Sequence, residues 1–392
     1  MENSKLKIFN LKDTCTGCGA CVSTCPQQAL QLTYNDEGFY YPEIDVSKCV
    51  DCKACEKACH VLCNVQSRQI SQNFKAFMVK AKDVNLVMRS SSGGIFSILA
   101  NYVLSKGGVV FGARYNFKEE RLEHSSTDKC SLDELRKSKY IESYVGVSFK
   151  EVLFNLKNNR IVLFCGTPCQ IEGLSHFLKV RKVSRTNLLL VRFVCHGVPA
   201  NKFFTEYKHY EEKKNGSKMI FFDFRPKTRG WRNSDWIMLF ENGKTIGGPY
   251  YYYYYYYYYQ LCNLLRKSCY SCKRVFQETA DITIADFWGV CTYCPSNKDQ
   301  EGISMVLDHS GKFEAIYPII KNDCTIEEVP LSAINYIYQE AKDRECISLE
   351  RDIAMKSVLK NGYIKTAQKK LKGKIIRWRL KNLIKKLIGR KI

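Results

Sequence analysis

Residues 15–26 read CTGCGACVSTCP and residues 49–60 read CVDCKACEKACH. Each run spaces its cysteines as C-x2-C-x2-C-x3-C, with Cys15, Cys18, Cys21 and Cys25 in the first and Cys49, Cys52, Cys55 and Cys59 in the second. That spacing holds [4Fe-4S] groups in pairs, the fourth cysteine of each run serving the other group. Three thiolates on one tight loop reach three corners of the cube, while the fourth points away. The expected sets are therefore Cys15, Cys18 and Cys21 with Cys59, and Cys49, Cys52 and Cys55 with Cys25. Gly17 and Gly19 let the first loop wrap closely, and Pro26 turns the chain away after Cys25. Zinc usually draws its ligands from two separated C-x2-C pairs, so two triplets each with a fourth cysteine fit it poorly.

Outward from these runs, 392 residues allow two or three domains, and a hydrophobic share of 45% is enough for packed cores. Twenty cysteines, nine of them before residue 64, are too unevenly placed for a secreted disulfide scaffold. The opening MENSKLKIFN has no apolar signal core and no run reaches membrane-span length, so the expected compartment is a reducing cytoplasm. Residues 9–65 resemble a bacterial-type 2[4Fe-4S] ferredoxin, with His60 standing where Pro26 stands in the first half.

Beyond residue 65 apolar runs alternate with helical stretches. FKAFMV and GVVFGARY read as strands around a helix GIFSILANYVLSK. IVLF (161–164) leads into CGTPCQ and a helix IEGLSHFL, and LLLVRFV (188–194) leads into CHGVP and a helix NKFFTEYKHY. These units predict an α/β body with a largely parallel sheet; the β-rich run MIFFDFR, DWIMLF, DITIADF, GISMVLD keeps a mixed α+β body as the alternative. Ligands in such sheets sit beyond the carboxyl ends of strands, where both cysteine loops fall. With Cys269 and Cys272 in KSCYSCKR, the candidates for a third cluster are Cys165, Cys169, Cys195, Cys269 and Cys272, one more than a cluster needs. SSSGG (90–94) opening into an apolar helix is an expected anion site for a phosphate or pyrophosphate, with an ordinary glycine-rich N-cap as the plainer reading. No G-x-G-x-x-G or G-x-x-x-x-G-K-[ST] is present to support a standard nucleotide fingerprint.

SSSGG, CGTPCQ, CHGVP (195–199), FRPKTRGW (224–231), CYSCK (269–273) and DITIADFWG (281–289) occur in order. Together they resemble the family of coenzyme F(420) hydrogenase/dehydrogenase beta subunits, here with a fused amino-terminal ferredoxin domain. The resemblance implies an iron–sulfur flavoprotein oxidoreductase binding FAD and a body [4Fe-4S] cluster, with F(420) or another reducible small molecule as acceptor. It places Ser91, Ser92, Gly93 and Gly94 near FAD phosphates, Arg225 near an anionic group, and Asp281 and Asp286 near ribityl or amide groups. CGTPCQ, CHG and CYSC would supply the body cluster. Gln277, Glu278 and Thr279 before the DIT strand, and Ala285 within it, depart from many relatives. The partners implied are ferredoxin or another redox protein. A relay subunit with no substrate site of its own is the alternative.

The expected organisation is a ferredoxin-type domain (1–68), a body (69–350, with parts at about 72–150 and 155–345) and a basic tail (351–392). The net charge is +22, and the last 40 residues hold 14 Lys/Arg and no Asp/Glu. Within them Ile376, Leu380, Leu383, Ile384 and Leu387 share one helical face, flanked by cations and Trp378, the pattern of a helix that lies on an anionic membrane surface. A helix packed on the body is the competing reading. Peripheral attachment at the inner membrane face is thus expected as an option, and nucleic acid is not an expected partner. Residues 250–259 are ten tyrosines with no readable period.

Overall fold

A computed structural model describes residues 6–63, 74–233, 235–249, 255, 264–274, 280–293, 301–335 and 348–387. Gln277, Glu278 and Thr279, and all of Tyr250–Tyr259 except Tyr255, lie outside the described residues, as do the side chains of Trp378 and Leu387. The amino-terminal segment is a small α/β unit. Helix α1 (Ala20–Thr24), the hairpin β1 (Leu30–Tyr34) and β2 (Tyr40–Ile44), and helix α2 (Ala54–Ala58) follow in order.

The body is organised on an eight-stranded sheet with order β13-β3-β12-β11-β7-β6-β4-β5. Its strands are β3 (Lys75–Ala81), β4 (Val109–Asn116), β5 (Arg121–Ser126), β6 (Val162–Gly166), β7 (Leu188–Phe193), β11 (Ile282–Asp286), β12 (Ser304–Asp308) and β13 (Cys324–Val329). The centre, β4-β6-β7-β11, is parallel, and every flanking pair is antiparallel. The sheet is mixed, with the expected parallel units at its middle. The innermost parallel strands β6 and β7 are largely apolar, as expected where both faces are covered. β6 and β7 are buried along nearly all their length. The two expected parts of the body share this one sheet, since β3 pairs with β12 and β13.

A second sheet, β8 (Met219–Asp223), β9 (Asp235–Phe240) and β10 (Thr245–Pro249), is antiparallel. The helices used below are α3 (Ile95–Ser105), α4 (Ser148–Lys157), α5 (Pro168–Val180), α6 (Asn201–Asn215), α7 (Ser348–Asn361) and α8 (Tyr363–Leu387). Helices α6, α7 and the start of α8 share one core with the second sheet. It contains Phe203, Phe204, Trp236, Met355, Tyr363 and Leu371. The core therefore runs on past 351, and the packing continues to Leu371. Tyr255, the described member of the tyrosine run, is fully buried there; its hydroxyl donates to Tyr140 O at 2.6 Å, and its carbonyl accepts from Tyr363 Oη at 2.6 Å. Among the described residues no helix is long and apolar enough to cross a membrane.

Candidate iron–sulfur and cofactor centre

The two amino-terminal cysteine runs fold as a repeat. Gly17 and Gly19 in the first loop, and Asp51 and Lys53 in the second, all have φ between +50° and +76°. Each loop thus reverses its backbone twice before its short helix, and only the first uses glycine to do so without strain. Cys15, Cys18, Cys21 and Cys59 line one hollow beside Leu32 and Pro42. Cys25, Cys49, Cys52 and Cys55 line another beside Leu6 and Ile44. Burial raises the thiols of Cys18 and Cys21, and the neighbouring Cys15 and Cys59 push both in the same direction. Burial likewise lifts Cys55 to about 11. Crowded, poorly solvated thiols of this kind take on negative charge only with a cation among them, and iron supplies it. The Ala29 N–H donates to Cys25 Sγ at 3.3 Å, a contact suited to a ligating sulfur. The donor sets fit iron–sulfur groups.

Among the contacts between the described residues of this unit and the body, three lie at the first cysteine loop. Arg266 is 1% exposed and lies 2.5 Å from Glu142 Oε1, while it donates to Cys15 O at 2.7 Å and Tyr40 O at 2.8 Å. Its guanidinium also stacks over Tyr41 at 4.2 Å. Gly17 is required beside them, because a Cβ there would stand 2.9 Å from both Arg266 and Glu142. His60 contacts Thr16 Oγ1 and Glu172 at 3.1 Å each, and Arg274 reaches Glu172 at 2.6 Å. Burial works against the Glu172 charge, yet His60 and Arg274 hold its carboxyl at about 2. Thirdly, Gly173 on α5 lies so close to the first hollow that a Cβ would stand 2.8 Å from Cys18 Sγ.

In the body, the sequence CGTPCQ builds its own turn. Thr167 caps α5, Pro168 occupies the first turn, and Gln170 Oε1 accepts from Thr167 N at 3.0 Å, completing a capping box. Cys169 therefore sits in the first turn of α5. Cys195 lies just past the carboxyl end of β7, where the Gly197 N–H donates to its sulfur at 3.4 Å. Cys269 is raised well above the usual thiol range, first by burial and then by Cys195, Cys272 and Cys169. Through these effects Cys169, Cys195 and Cys272 join Cys269 as one candidate set. Cys165 stands apart from it: burial lifts its thiol to about 12, and the charged neighbour acting on it is Lys139. Of the five sequence candidates, four are linked in this way. His124 stabilises the same turn from behind. Burial lowers it to about 4, so it is neutral, donating from Nε2 to Cys165 O at 3.2 Å and accepting from Ser143 Oγ at 3.0 Å.

The Ser/Gly loop lies at the amino end of α3. Ser91 Oγ accepts from Ser138 N at 2.7 Å, and Ser92 Oγ donates to Ile303 O at 2.5 Å. A Cβ on Gly93 would meet Val79 O at 2.4 Å, so this glycine is demanded by packing onto the sheet, and Gly94 caps the helix at φ +94°. Lys227 reaches into the loop, donating to Ser92 O at 2.6 Å and Val87 O at 2.7 Å. Arg225 pairs with Asp286 and lies 4.8 Å over the Trp288 ring, and Trp231 Nε1 donates to Asp286 at 3.0 Å. Trp231 and Trp288 stack at 4.7 Å. Ser91, Ser92, Arg225 and Asp286 thus belong to one basic, aromatic corner. Asp281 does not join it. It sits at the opposite end of β11, accepting from Leu190 N at 2.8 Å and pairing with Lys312 at 3.1 Å.

Lys227 lies in the FRPKTRGW motif expected near an anionic group, whereas Glu142, Arg266, Glu172 and Lys139 carry no local sequence signal. Lys139 Nζ donates to Arg136 O at 2.5 Å, and burial lowers its ammonium to about 8 against the pull of Asp223 and Cys165. Competitive acylation across pH should therefore find Lys139 with a midpoint near 8, mostly neutral above it, while ordinary surface lysines titrate at about 10.4. A midpoint above 10 would refute the desolvated environment.

Comparison with known proteins adds the following. Residues 159–333 match the family described as the C terminus of the beta subunit of coenzyme F(420) hydrogenase/dehydrogenase, and residues 14–63 match the 4Fe-4S dicluster domain. The chain is 25% identical over 208 residues to a subunit of the F(420)H(2) dehydrogenase of Methanosarcina mazei, covering 50% of this chain and 58% of that protein. It thus spans little more than half the length of that relative. It is 40% identical over 54 residues to an uncharacterised ferredoxin of Methanocaldococcus jannaschii, covering 14% of this chain and 69% of that protein. A chain of the F(420)-reducing [NiFe] hydrogenase complex of Methanosarcina barkeri aligns at TM-score 0.46 and 16% identity, covering 72% of this chain and 91% of that one.

Proposed function

The chain joins a 4Fe-4S dicluster domain to a domain of the family of coenzyme F(420) hydrogenase/dehydrogenase beta subunits, and from that premise we propose an iron–sulfur flavoprotein oxidoreductase exchanging electrons between a redox partner protein and a small-molecule acceptor such as F(420). The observation that carries this reading is the serial placement of three cysteine sets. Cys18 of the first amino-terminal set has Cys169 of the body set among the thiols acting on it. Cys21 of that same set has Cys55 of the second set acting on it, and Cys52 of the second set is exposed. The set of Cys15, Cys18, Cys21 and Cys59 thus adjoins both of the others, which supports a relay in series. Iron–sulfur groups pass single electrons, and a flavin collects two for delivery with a proton.

In this reading Cys15, Cys18, Cys21 and Cys59 hold one cluster, and Cys25, Cys49, Cys52 and Cys55 a second. Cys169, Cys195, Cys269 and Cys272 hold a third. FAD is assigned to the corner of Ser91, Ser92, Arg225 and Asp286, where Lys227 and the amino end of α3 favour phosphate. Gly93 and Gly94 serve it by letting the backbone turn there. Thiolate-held iron also accords with a reducing, cytoplasmic setting. The name of the Methanosarcina mazei relative, a dehydrogenase subunit, favours a second reading in which the chain only relays electrons to a partner enzyme.

Anaerobic purification with iron, sulfide and flavin analysis tests the proposal. About twelve irons, by four per cube, with one FAD per chain are expected, and zinc without iron or flavin would overturn it. Reducing the protein with dithionite and offering a deazaflavin then separates the two readings. Reoxidation only through a partner protein would favour the relay.

A further inference from the structure

Helix α8 has two halves with different surroundings. Its first turns are core: Tyr363, Ile364, Ala367 and Leu371 are at most 7% exposed and pack with Phe203 and Tyr207. Past Leu371 the described side chains turn outward, and Ile376, Leu380, Leu383 and Ile384 are each at least 46% exposed. A helix advances about 100° per residue, so the buried set and the exposed set point in directions about 170° apart. The outer stripe therefore faces away from the body that anchors the helix. The whole helix lacks one apolar face because its two halves face oppositely.

The charge says what can cover this stripe. Residues 372–392 contain nine Lys/Arg and no Asp/Glu. A second copy laid stripe to stripe would bring two such arms together and repel. An anionic surface is attracted instead, and four aligned apolar side chains with cations around them match shallow insertion among lipid headgroups. From Lys372 to Leu387 the arm is about 24 Å long, at about 1.5 Å per residue, enough to lie along a bilayer.

We propose that residues 372–387 of α8 dock the protein on an anionic lipid bilayer, with Ile376, Leu380, Leu383 and Ile384 inserted. The docking does not depend on the electron-transfer reading. The first half of the helix keeps the arm rigidly joined to the core, so a docked protein has a fixed orientation to the membrane.

The test uses the full-length holoprotein and vesicles of phosphatidylcholine with or without about 30% phosphatidylserine. Co-sedimentation is expected only with the anionic vesicles and should weaken as salt rises. Leu380→Glu should lower the binding constant at least tenfold with an unchanged melting temperature. A chain ending after Leu371 should keep its fold and lose binding. Wild-type binding no stronger to anionic than to neutral vesicles would overturn the proposal. So would equal binding by Leu380→Glu, which would leave only a charge effect. Concentration-dependent self-association abolished by Leu380→Glu, without vesicle binding, would assign the stripe to a second copy and also overturn it.

Discussion

Arg266→Met is expected to lower stability by about 3–5 kcal/mol, the usual cost of leaving one partner of a buried ion pair behind. The guanidinium neutralises Glu142 and bonds to the carbonyls of Cys15 and Tyr40. One side chain from the body thus satisfies groups on two amino-terminal loops. Without it the Glu142 carboxylate keeps the Tyr40 N–H at 3.1 Å but loses its counter-charge. Burial already raises this carboxyl, and the guanidinium is the main force opposing that rise. In the variant the carboxyl should therefore bind a proton more readily than an unfolded glutamate does. A folded-state pKa above the unfolded value means stability increases as pH falls through it, so part of the loss should return on mild acidification from neutrality. Urea midpoints of the holoprotein at two pH values measure both effects. The double variant with Glu142→Gln should lose much less than the two single losses together. Additive losses would show that the two residues are not coupled.

The parts of this protein readable in its sequence are those whose physics is local. Cysteine spacing is fixed by the reach of a short loop, so the grouping of Cys15 to Cys59 can be expected before any fold is known. The central strands are legible because burial on both faces makes them near-continuous apolar runs such as VLFCG. The edge strands RLEHSS and CTIEEV carry polar side chains and give no such signal. The candidate body cysteines show the limit most directly. Cys165 and Cys169 are four residues apart, yet the first ends a strand beside Lys139 and the second starts a helix among the other thiols. Nothing in CGTPCQ separates them. Asp281 just before β11 and Asp286 at its last residue likewise stand at opposite ends of one strand. In sequence the tail reads as one amphipathic element, although its first half belongs to the core, because that assignment depends on what Tyr363 and Leu371 meet.

Gly173 carries the second large expectation, and it too has no sequence signature. It lies inside α5, where alanine would ordinarily be better by about 1 kcal/mol. Here the missing side chain is what lets α5 approach the amino-terminal unit. A Cβ would stand 2.8 Å from Cys18 Sγ, 3.1 Å from Cys18 Cβ and 3.5 Å from Ala20 Cβ. Cys18 is assigned as a ligand, so it cannot move away without changing the cluster it would hold. Two forces compete in Gly173→Ala, helix propensity and overlap, whereas in Gly173→Leu overlap dominates. Gly173→Leu should therefore lose the cluster of Cys15, Cys18, Cys21 and Cys59, with iron falling from about twelve to about eight per chain and sulfide falling in step. Gly373→Ala is the matched control, a helical glycine with nothing within 4 Å of its added carbon. It should keep all its iron. A Gly173→Leu protein with full iron and unchanged low-temperature EPR would mean that the helix and the cluster loop are not in contact. If iron is lost but the far-UV spectrum and the flavin content hold, the damage is confined to the junction, and α5 is then the element that positions the amino-terminal clusters against the body.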